Sequence, residues 1–135
     1  MDCIFCRIAA GSIPATKVYE DTHTLAFMDI NPVALGHCLV IPKTHVATLF
    51  EADAALLAQV MGTVHKLALA LKSTLGVEAL NLLQNNGRAA FQSVDHLHFH
   101  LIPRQDGDGL GFGWRLKPGD LEQIQAAAAK IKGGI

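Results

Sequence analysis

The chain has 135 residues, of which 50% are apolar and 17% charged, and its formal net charge is −1 at pH 7. This length fits one domain, residues 1–135, and the composition is typical of a folded, soluble chain. Nucleic acids and anionic membrane surfaces bind clustered Lys and Arg, which this sequence lacks, so we expect neither as a partner. No apolar run approaches the roughly 20 residues that a membrane-spanning helix requires.

The cysteine content indicates a reducing compartment. The three cysteines are odd in number and too few for a disulfide framework. We expect no secretory signal, because Asp2, Cys3 and Cys6 interrupt any apolar stretch at the start of the chain. These features predict a cytoplasmic protein.

Cys3 and Cys6 form a Cys-x-x-Cys pair near the N-terminus. A thioredoxin-like redox pair would follow a strand and begin a helix, and no strand can precede residue 3. Thiolates at this spacing can both reach one zinc ion, so half of a metal site is the better interpretation. A second Cys-x-x-Cys is missing, but the seven histidines of the chain could complete the site.

Local patterns predict five strands, one long helix and a C-terminal helix. Residues 17–20 and 24–29 have the pattern of a hairpin, and residues 36–41 that of a buried strand. The other predicted elements are a helix over residues 53–75, a strand over 77–84, a loop over 85–93, a strand at 96–102, a glycine-rich connector over 107–113 followed by Trp114, and a helix over 121–132.

The helix over residues 53–75 has an apolar stripe at three- and four-residue spacing, which predicts a buried face. His65 lies beside this stripe and is expected to be an ordinary boundary residue, while Cys38 is predicted to be a packed thiol and His37 a structural residue. The stripe consists of Leu57, Val60, Met61, Val64, Leu67, Leu71 and Leu75. The helix over residues 121–132 has Leu121, Ile124, Ala128 and Ile131 on one face.

Three of the seven histidines recur at alternate positions within residues 95–104. Strict alternation with apolar β-formers predicts a half-buried strand that carries His96, His98 and His100 on one face. Two residues of strand advance the chain by roughly 6.6 Å, so His96 and His100 would lie on the order of 13 Å apart. One metal ion cannot easily bind both, so the histidines must have different roles. Such a cluster is more typical of a metal or catalytic site than of a solvated face.

Residues 96–101 (His-Leu-His-Phe-His-Leu) closely resemble the signature of the histidine triad (HIT) family. Residues 27–32 (Phe-Met-Asp-Ile-Asn-Pro) resemble the nucleoside-binding segment of that family. Residues 36–45 resemble its strand followed by Pro-Lys-x-His, and residues 92–94 (Gln-Ser-Val) stand where members of the Hint branch hold the phosphate. The resemblance extends from Cys3 to about Pro118.

This resemblance implies an α+β fold with a five-stranded antiparallel sheet, one long helix and a C-terminal helix. It also implies a homodimer in which two sheets join into a continuous one. The implied activity is that of a hydrolase that binds purine nucleoside monophosphates or their conjugates and acts through a histidine–nucleotide intermediate. For the Hint branch, the implied substrates are nucleoside phosphoramidates and adenylyl-amines.

The resemblance also implies roles for individual residues. By position, His98 is the nucleophile, with His100 and Ser93 as its catalytic partners. Asp29 corresponds to the carboxylate that binds the ribose hydroxyls. Independently, a neutral imidazole can attack phosphorus at pH 7 without a strong base, which favours a histidine nucleophile. The other implied nucleotide-binding residues are Asn85, Gln92 and Val94 near the phosphate and Ile4, Phe5, Ile8, Phe27 and Ile30 around the base.

Some members of the family bind a structural zinc through a Cys-x-x-Cys pair, a later histidine and the first histidine of the triad. This division agrees with the distance argument, because it leaves His98 and His100 available for chemistry. The resemblance therefore implies a structural Zn²⁺ that ties the N-terminal arm to the histidine segment. The corresponding positions are Cys3, Cys6, His45 and His96.

Three alternatives remain open at this point. The first is a dinucleoside polyphosphate hydrolase of the Fhit type, which residues 102–104 (Ile-Pro-Arg) favour somewhat, whereas Ser93 and Asp29 favour the Hint type. The second is a nucleotide-binding interaction module with incidental turnover. The third is a metal sensor, which would leave His98 and His100 without a role.

Overall fold

The computed structural model describes residues 2–111 and 115–135. The α+β class, with five strands, one long helix and a C-terminal helix, is confirmed. Residues 112–114, which include the end of the predicted glycine-rich connector and Trp114, lie outside the described residues. The strands are Lys17–Glu20 (β1), Thr24–Met28 (β2), Cys38–Pro42 (β3), Ala79–Gln84 (β4) and Phe99–Arg104 (β5); the helices are Ile4–Ala9 (α1), Ala54–Leu75 (α2) and Leu121–Gly134 (α3), with a 3₁₀ helix at Arg88–Ala90.

The five strands form one antiparallel sheet in the order β1-β2-β3-β5-β4. β3 is central, and α2 connects it to the edge strand β4 while packing on the sheet. The register of β3 and β5 places Leu39 opposite His100. That pairing brings the end of the histidine motif to the middle of the sheet.

Alternate side chains of the central strands divide between two cores, one on each face of the sheet. Both faces of β2 and β3 are therefore covered, which explains why residues 38–42 form a continuous apolar run. On one face, the sheet packs against α2 through Ala26, Cys38, Val40, Val60, Val64, Leu67, Leu71, Leu97, Phe99 and Leu101. On the other face, it packs against α1 through Phe5, Ile8, Leu25, Phe27, Leu39 and Ile41.

The buried stripe of α2 differs from the predicted one. Met61 and Leu75 are 43% and 55% exposed, so predicting them as buried was wrong. Thr63 is buried instead, because its hydroxyl lies 2.6 Å from the buried hydroxyl of Thr24 and its polar atom is therefore satisfied. The buried side chains of α2 are Val60, Thr63, Val64, Leu67 and Leu71.

By length and hydropathy alone, α2 would suffice to cross a membrane, which was not expected from the sequence. This is weak evidence for a membrane span, since the core helix of a soluble protein passes the same test. Here the apolar stripe of α2 is packed against the sheet. Core packing accounts for the hydropathy of this stripe, although only 28% of the apolar window of α2 is buried.

The strand predicted over the histidine motif begins later than expected. β5 starts at Phe99, and residues 96–98 are irregular. Here the N–H of Leu97 donates to the carbonyl of Val46 at 2.7 Å, so a loop rather than a strand holds this part of the motif. His96 and His98 are also buried, because the ring of Phe5 on α1 packs edge-on against both imidazoles. His96 and His98 are therefore buried, whereas His100 remains partly exposed.

The C-terminal helix is confirmed, and it begins at Leu121 as predicted. The carboxylate of Asp120 accepts the N–H of Glu122 at 2.9 Å and so caps the first turn. Every residue of α3 is exposed. Its predicted apolar face is therefore not buried against the rest of the described chain.

Candidate active site

A cavity of about 450 Å³ lies between α1, the end of β2 and the histidine motif. One part of its wall is apolar, and the other presents a carboxylate, a hydroxyl and two imidazoles. An apolar slot that ends in convergent polar groups is the usual form of a small-molecule site. The structure brings together ten of the predicted nucleotide-binding residues in its wall: Ile4, Phe5, Ile8, Phe27, Asp29, Ile30, Ser93, Val94, His98 and His100.

Two predicted nucleotide-binding residues are not part of this wall. Gln92 is buried, and its side-chain amide accepts the N–H of Gly87 at 2.8 Å while donating to Ala47 O and Val94 O at 2.7 and 3.0 Å. It therefore holds the loop in shape. Asn85 follows β4, and its backbone carbonyl accepts a hydrogen bond from Gln84.

Six residues that line the cavity were not predicted from the sequence. Met28 and Asn31 lie within the segment that resembles a nucleoside-binding motif, so that resemblance was the available signal. Leu39 pairs with Phe27 in the register of β2 and β3, which only the folded sheet shows. The remaining three, residues 13–15, have no distinctive sequence pattern. The six are Ile13, Pro14, Ala15, Met28, Asn31 and Leu39.

The hydrogen bond made by His98 defines which of its nitrogens is free to react. Its Nδ1 lies 2.7 Å from the backbone carbonyl of His96. A carbonyl only accepts, so Nδ1 carries the proton of the neutral ring and Nε2 carries the lone pair. The unprotonated nitrogen is thus on the opposite edge of the imidazole. A buried imidazole held in one tautomer is suited to nucleophilic attack.

A second hydrogen-bond chain orients His100. The N–H of Val33 donates to His37 Nδ1 at 3.2 Å, so the proton of neutral His37 is on Nε2. That Nε2–H donates to His100 Nδ1 at 3.0 Å and lies 3.4 Å from a carboxylate oxygen of Asp29. His100 therefore carries its own proton on Nε2. His98 therefore has an unprotonated Nε2, whereas the neighbouring His100 has an Nε2–H that can donate a hydrogen bond.

His37 is the residue of this site whose importance was missed. It was predicted to be structural because it stands alone at the start of a strand. The pairing of β3 with β5 brings it to His100, and the backbone N–H of Asp29 donates to its carbonyl at 3.1 Å. A histidine followed by a buried strand was the available signal, and by itself it could not show this contact.

Burial keeps these imidazoles neutral near pH 7. Burial, with smaller contributions from neighbouring His98 and His37, lowers the pKa of His100 to about 4. Burial also lowers the pKa of His98, although the hydrogen bond to the His96 carbonyl acts in the opposite direction. Burial lowers the pKa of His37 as well, although the negative charge of Asp29 opposes the shift. Neutral imidazoles are the forms that the two hydrogen-bond chains require.

These pKa shifts predict that the protein loses stability in mild acid. A histidine with a lowered pKa in the folded state takes up its proton on unfolding, so His100 stabilises the fold fully above pH 6.5 and progressively less down to about pH 4. The expected slope is about 1.4 kcal/mol per pH unit for each such histidine. Denaturant titrations from pH 7 to pH 4.5 would measure it.

The matched control for this effect is an exposed histidine. His100→Gln should flatten the dependence of stability on pH, whereas His65→Gln, on the exposed side of α2, should not. Equal slopes in wild type and His100→Gln would contradict the assignment.

Cys3, Cys6, His45 and His96 form a separate cluster in which each residue offers one ligand atom, all within 4.8 Å of one another. The Nε2–H of His96 donates to Pro42 O at 2.8 Å, so its Nδ1 carries the lone pair and faces the cluster. This Nδ1 lies 3.3 Å from Cys3 Sγ, 3.5 Å from Cys6 Sγ and 3.2 Å from His45 Nδ1.

These distances fit a tetrahedral metal. Around zinc with bonds of about 2.0–2.3 Å, neighbouring ligand atoms lie about 3.3–3.8 Å apart. The carbonyl that accepts the second nitrogen of His96 is the kind of outer partner that fixes a metal-binding tautomer. Two thiols and two imidazoles in this arrangement could therefore hold one metal ion.

The metal cluster and the cavity are connected through helix α1 and through His96. Cys3 caps α1 by accepting the N–H of Cys6, and the same helix carries Phe5 and Ile8 into the cavity wall. The backbone carbonyl of His96 orients the His98 ring. A metal ion bound by this cluster would therefore support both the apolar wall of the cavity and the orientation of the His98 ring.

Known proteins share this sequence and fold. Residues 10–107 match the model of the HIT domain family. The chain is 45% identical over 136 residues to an adenosine 5′-monophosphoramidase of Schizosaccharomyces pombe, a match that covers 100% of this chain and 99% of that protein.

Two solved structures extend the likeness over the whole fold. A HIT family protein from Bacillus anthracis superimposes with a TM-score of 0.91 at 42% identity, covering 99% of this chain and 97% of the other. A zinc-bound histidine triad family protein from Mycobacterium smegmatis superimposes with a TM-score of 0.78 at 37% identity, covering 100% and 99%. The match of sequence, fold and histidine geometry has one conclusion: the chain belongs to the HIT domain family.

Proposed function

We propose that this protein hydrolyses purine nucleoside 5′-phosphoramidates and related adenylyl-amines through a nucleotide carried on His98. The observation that carries the proposal is the tautomer of His98, whose Nδ1–H is held by the His96 carbonyl so that Nε2 is the nucleophile. The similarity to a monophosphoramidase supports the substrate class.

The cavity supports a specific placement of the nucleotide. The apolar wall around Phe5 and Phe27 accommodates the purine, and Asp29 accepts the ribose hydroxyls. The phosphate then lies at the polar end, where the Nε2–H of His100 donates to a phosphate oxygen. Asn85 remains a predicted phosphate contact, while Gln92 acts by shaping the loop that presents Ser93.

Two displacements at phosphorus complete the reaction. In the first displacement, the lone pair of His98 Nε2 forms a bond to phosphorus while the P–N bond to the substrate amine breaks. The amine leaves with the electron pair of the P–N bond and gains a proton from the Ser93 hydroxyl. Solvent restores the Ser93 proton. In the second, water attacks phosphorus, the bond to Nε2 breaks and returns its pair to the imidazole, and the nucleoside monophosphate leaves with release of a proton. Positioning and charge stabilisation are the main requirements of such transfers.

The contacts of Arg104 argue against the dinucleoside polyphosphate alternative. A polyphosphate leaving group requires basic residues to guide it. Near the motif these are Arg88, in the 3₁₀ helix of the preceding loop, and Arg104, at the end of β5. The Arg104 guanidinium donates to both carboxylate oxygens of Asp108, to Asn81 Oδ1 and to Leu110 O. These hydrogen bonds hold the Arg104 guanidinium at the C-terminal end of β5, so it does not guide a polyphosphate leaving group.

Adenosine 5′-phosphoramidates are therefore expected to give higher kcat/KM than diadenosine polyphosphates. Ser93→Ala should lower kcat/KM for the phosphoramidate by about 10²-fold, because the departing amine loses its proton donor, and should affect a polyphosphate less. Side-by-side kinetics on wild type and Ser93→Ala would measure both effects. A preference for the dinucleotide would support the Fhit-type alternative, and binding without turnover would support an interaction module.

A structural zinc ion belongs to the same proposal, with Cys3, Cys6, His45 and His96 as its ligands. The cluster geometry and the zinc-bound relative support it. When bound, zinc supplies a structural cross-link and no reactive group. Because Cys3 and Cys6 bind metal only as thiolates, we also propose a reducing location, the cytoplasm, which cell fractionation can test.

We further propose a homodimer in which the sheets of two copies join at β4. β4 is an edge strand, and among the described residues it pairs only with β5. It exposes Leu82, and apolar edge strands favour pairing with another chain. Light scattering should give twice the monomer mass, and Leu82→Lys should shift the protein towards the monomer. A monomeric wild type at micromolar concentration would contradict the dimer.

A further inference from the structure

Phe91 has a backbone conformation that is unusual for a large side chain. Its φ is +65° and its ψ is 28°, which is the left-handed helical region, and among the described residues it is the only one other than glycine with a positive φ. Its N–H donates to Arg88 O at 2.9 Å, so it ends the short 3₁₀ helix. Left-handed backbone at a phenylalanine costs free energy that glycine would avoid.

Among residues 2–111 and 115–135, nothing in the packing of the loop accounts for a phenylalanine at this position. The side chain of Phe91 is 87% exposed. The loop is instead held by its neighbour Gln92, whose backbone N–H donates to Gly87 O and whose side chain makes three further hydrogen bonds. A strained, exposed aromatic residue beside a functional site suggests a role in binding.

Phe91 is close in the chain to Ser93, the proposed proton donor to the leaving amine. It is two residues from Ser93, so the two Cα atoms are at most about 7 Å apart, and a phenyl ring can reach past the serine. The nucleoside half of the substrate occupies the opposite side, against α1 and β2. In an in-line displacement the amine departs away from His98, and the proposed proton donor to that amine is Ser93.

We propose that Phe91 is a specificity-determining residue that contacts an aromatic or large apolar substituent on the amine of the substrate. This inference rests on the proposed phosphoramidate hydrolysis and specifies its leaving group. The exposed ring gives such a substituent an aromatic surface beside the scissile bond. A small or unsubstituted amine does not reach the ring and gains nothing from it.

The test compares two adenosine 5′-phosphoramidates, one with an unsubstituted amine and one with an arylethyl amine. The measured quantity is the ratio of kcat/KM for the arylethyl substrate to that for the unsubstituted one. Phe91→Gly and Phe91→Ala should both lower this ratio by about tenfold, and Phe91→Tyr should keep it. Phe91→Gly alone should also raise Tm by about 2–4 °C, because it removes the left-handed strain.

Phe50 offers a matched control, since it is 86% exposed and has no positive φ. Phe50→Ala should leave the ratio unchanged. An unchanged ratio in Phe91→Ala, or an equal fall in Phe50→Ala, would overturn the role of Phe91 while leaving phosphoramidate hydrolysis in place. If wild type hydrolyses neither substrate, the proposed function itself fails, and this inference fails with it.

Discussion

His98→Ala is expected to abolish turnover of adenosine 5′-phosphoramidates while leaving nucleotide binding measurable. The loss of kcat should be roughly four to six orders of magnitude, as for other enzymes that lose their nucleophile. The reason is that Nε2 of His98 carries a lone pair, because the proton of this ring is on Nδ1 and is donated to the backbone. His100 cannot replace it, because its Nε2 carries a proton. Binding of a purine monophosphate should persist, because the apolar wall and Asp29 remain.

The same experiment can identify the intermediate directly. Wild type quenched in base during turnover should carry one nucleotide on His98, detectable by mass spectrometry of its peptides. His65→Ala is the matched control, since this histidine is exposed on α2, and it should retain full activity. Near-normal turnover in His98→Ala, or a nucleotide found on another side chain, would refute the assignment.

Removal of the proposed zinc ion is expected to cause the largest loss of stability. A ligand that binds only the folded state adds about 4 kcal/mol at a concentration one thousand times its Kd. For a chain of this size, that corresponds to a fall in Tm on the order of 10 °C on chelation. Because Cys3 caps α1 and Phe5 on that helix lines the cavity, KM should also rise.

Variants at Cys3, Cys38 and His100 can locate the proposed zinc ion. Protein purified without chelators should contain about one zinc per chain. Cys3→Ala should lose it, whereas Cys38→Ala should keep it, because Cys38 is a buried thiol whose pKa is raised to about 11 by burial and whose Sγ–H donates to Gly36 O. His100→Gln should also keep it. Metal loss in His100→Gln with retention in Cys3→Ala would place the ion in the active site instead.

Local sequence patterns were sufficient for four of the elements, but they did not predict α1 or the short 3₁₀ helix, and they started β5 too early. Alternation and helical spacing act over a few residues, so β2, β3, α2 and α3 could be predicted with small errors at their ends. The distance between alternate histidines predicted that they have different roles, and the resemblance to the HIT family implied that His96 joins Cys3 and Cys6 at a metal while His98 and His100 serve the chemistry. The likeness of the three-histidine motif to the HIT signature also implied that His98 is the nucleophile, which stays a prediction.

Tertiary structure alone decided what surrounds those residues. His37 became part of the site because β3 pairs with β5, a contact that spans 63 residues of chain and leaves no local pattern. Packing of α1 buried His96 and His98, which the alternating pattern had placed on the polar face of a half-buried strand. The tautomer of His98 likewise depends on the His96 carbonyl, whose position is set by an irregular segment rather than by a strand. The sequence by itself determined which groups are present, and long-range packing decided their burial, their tautomers and their partners.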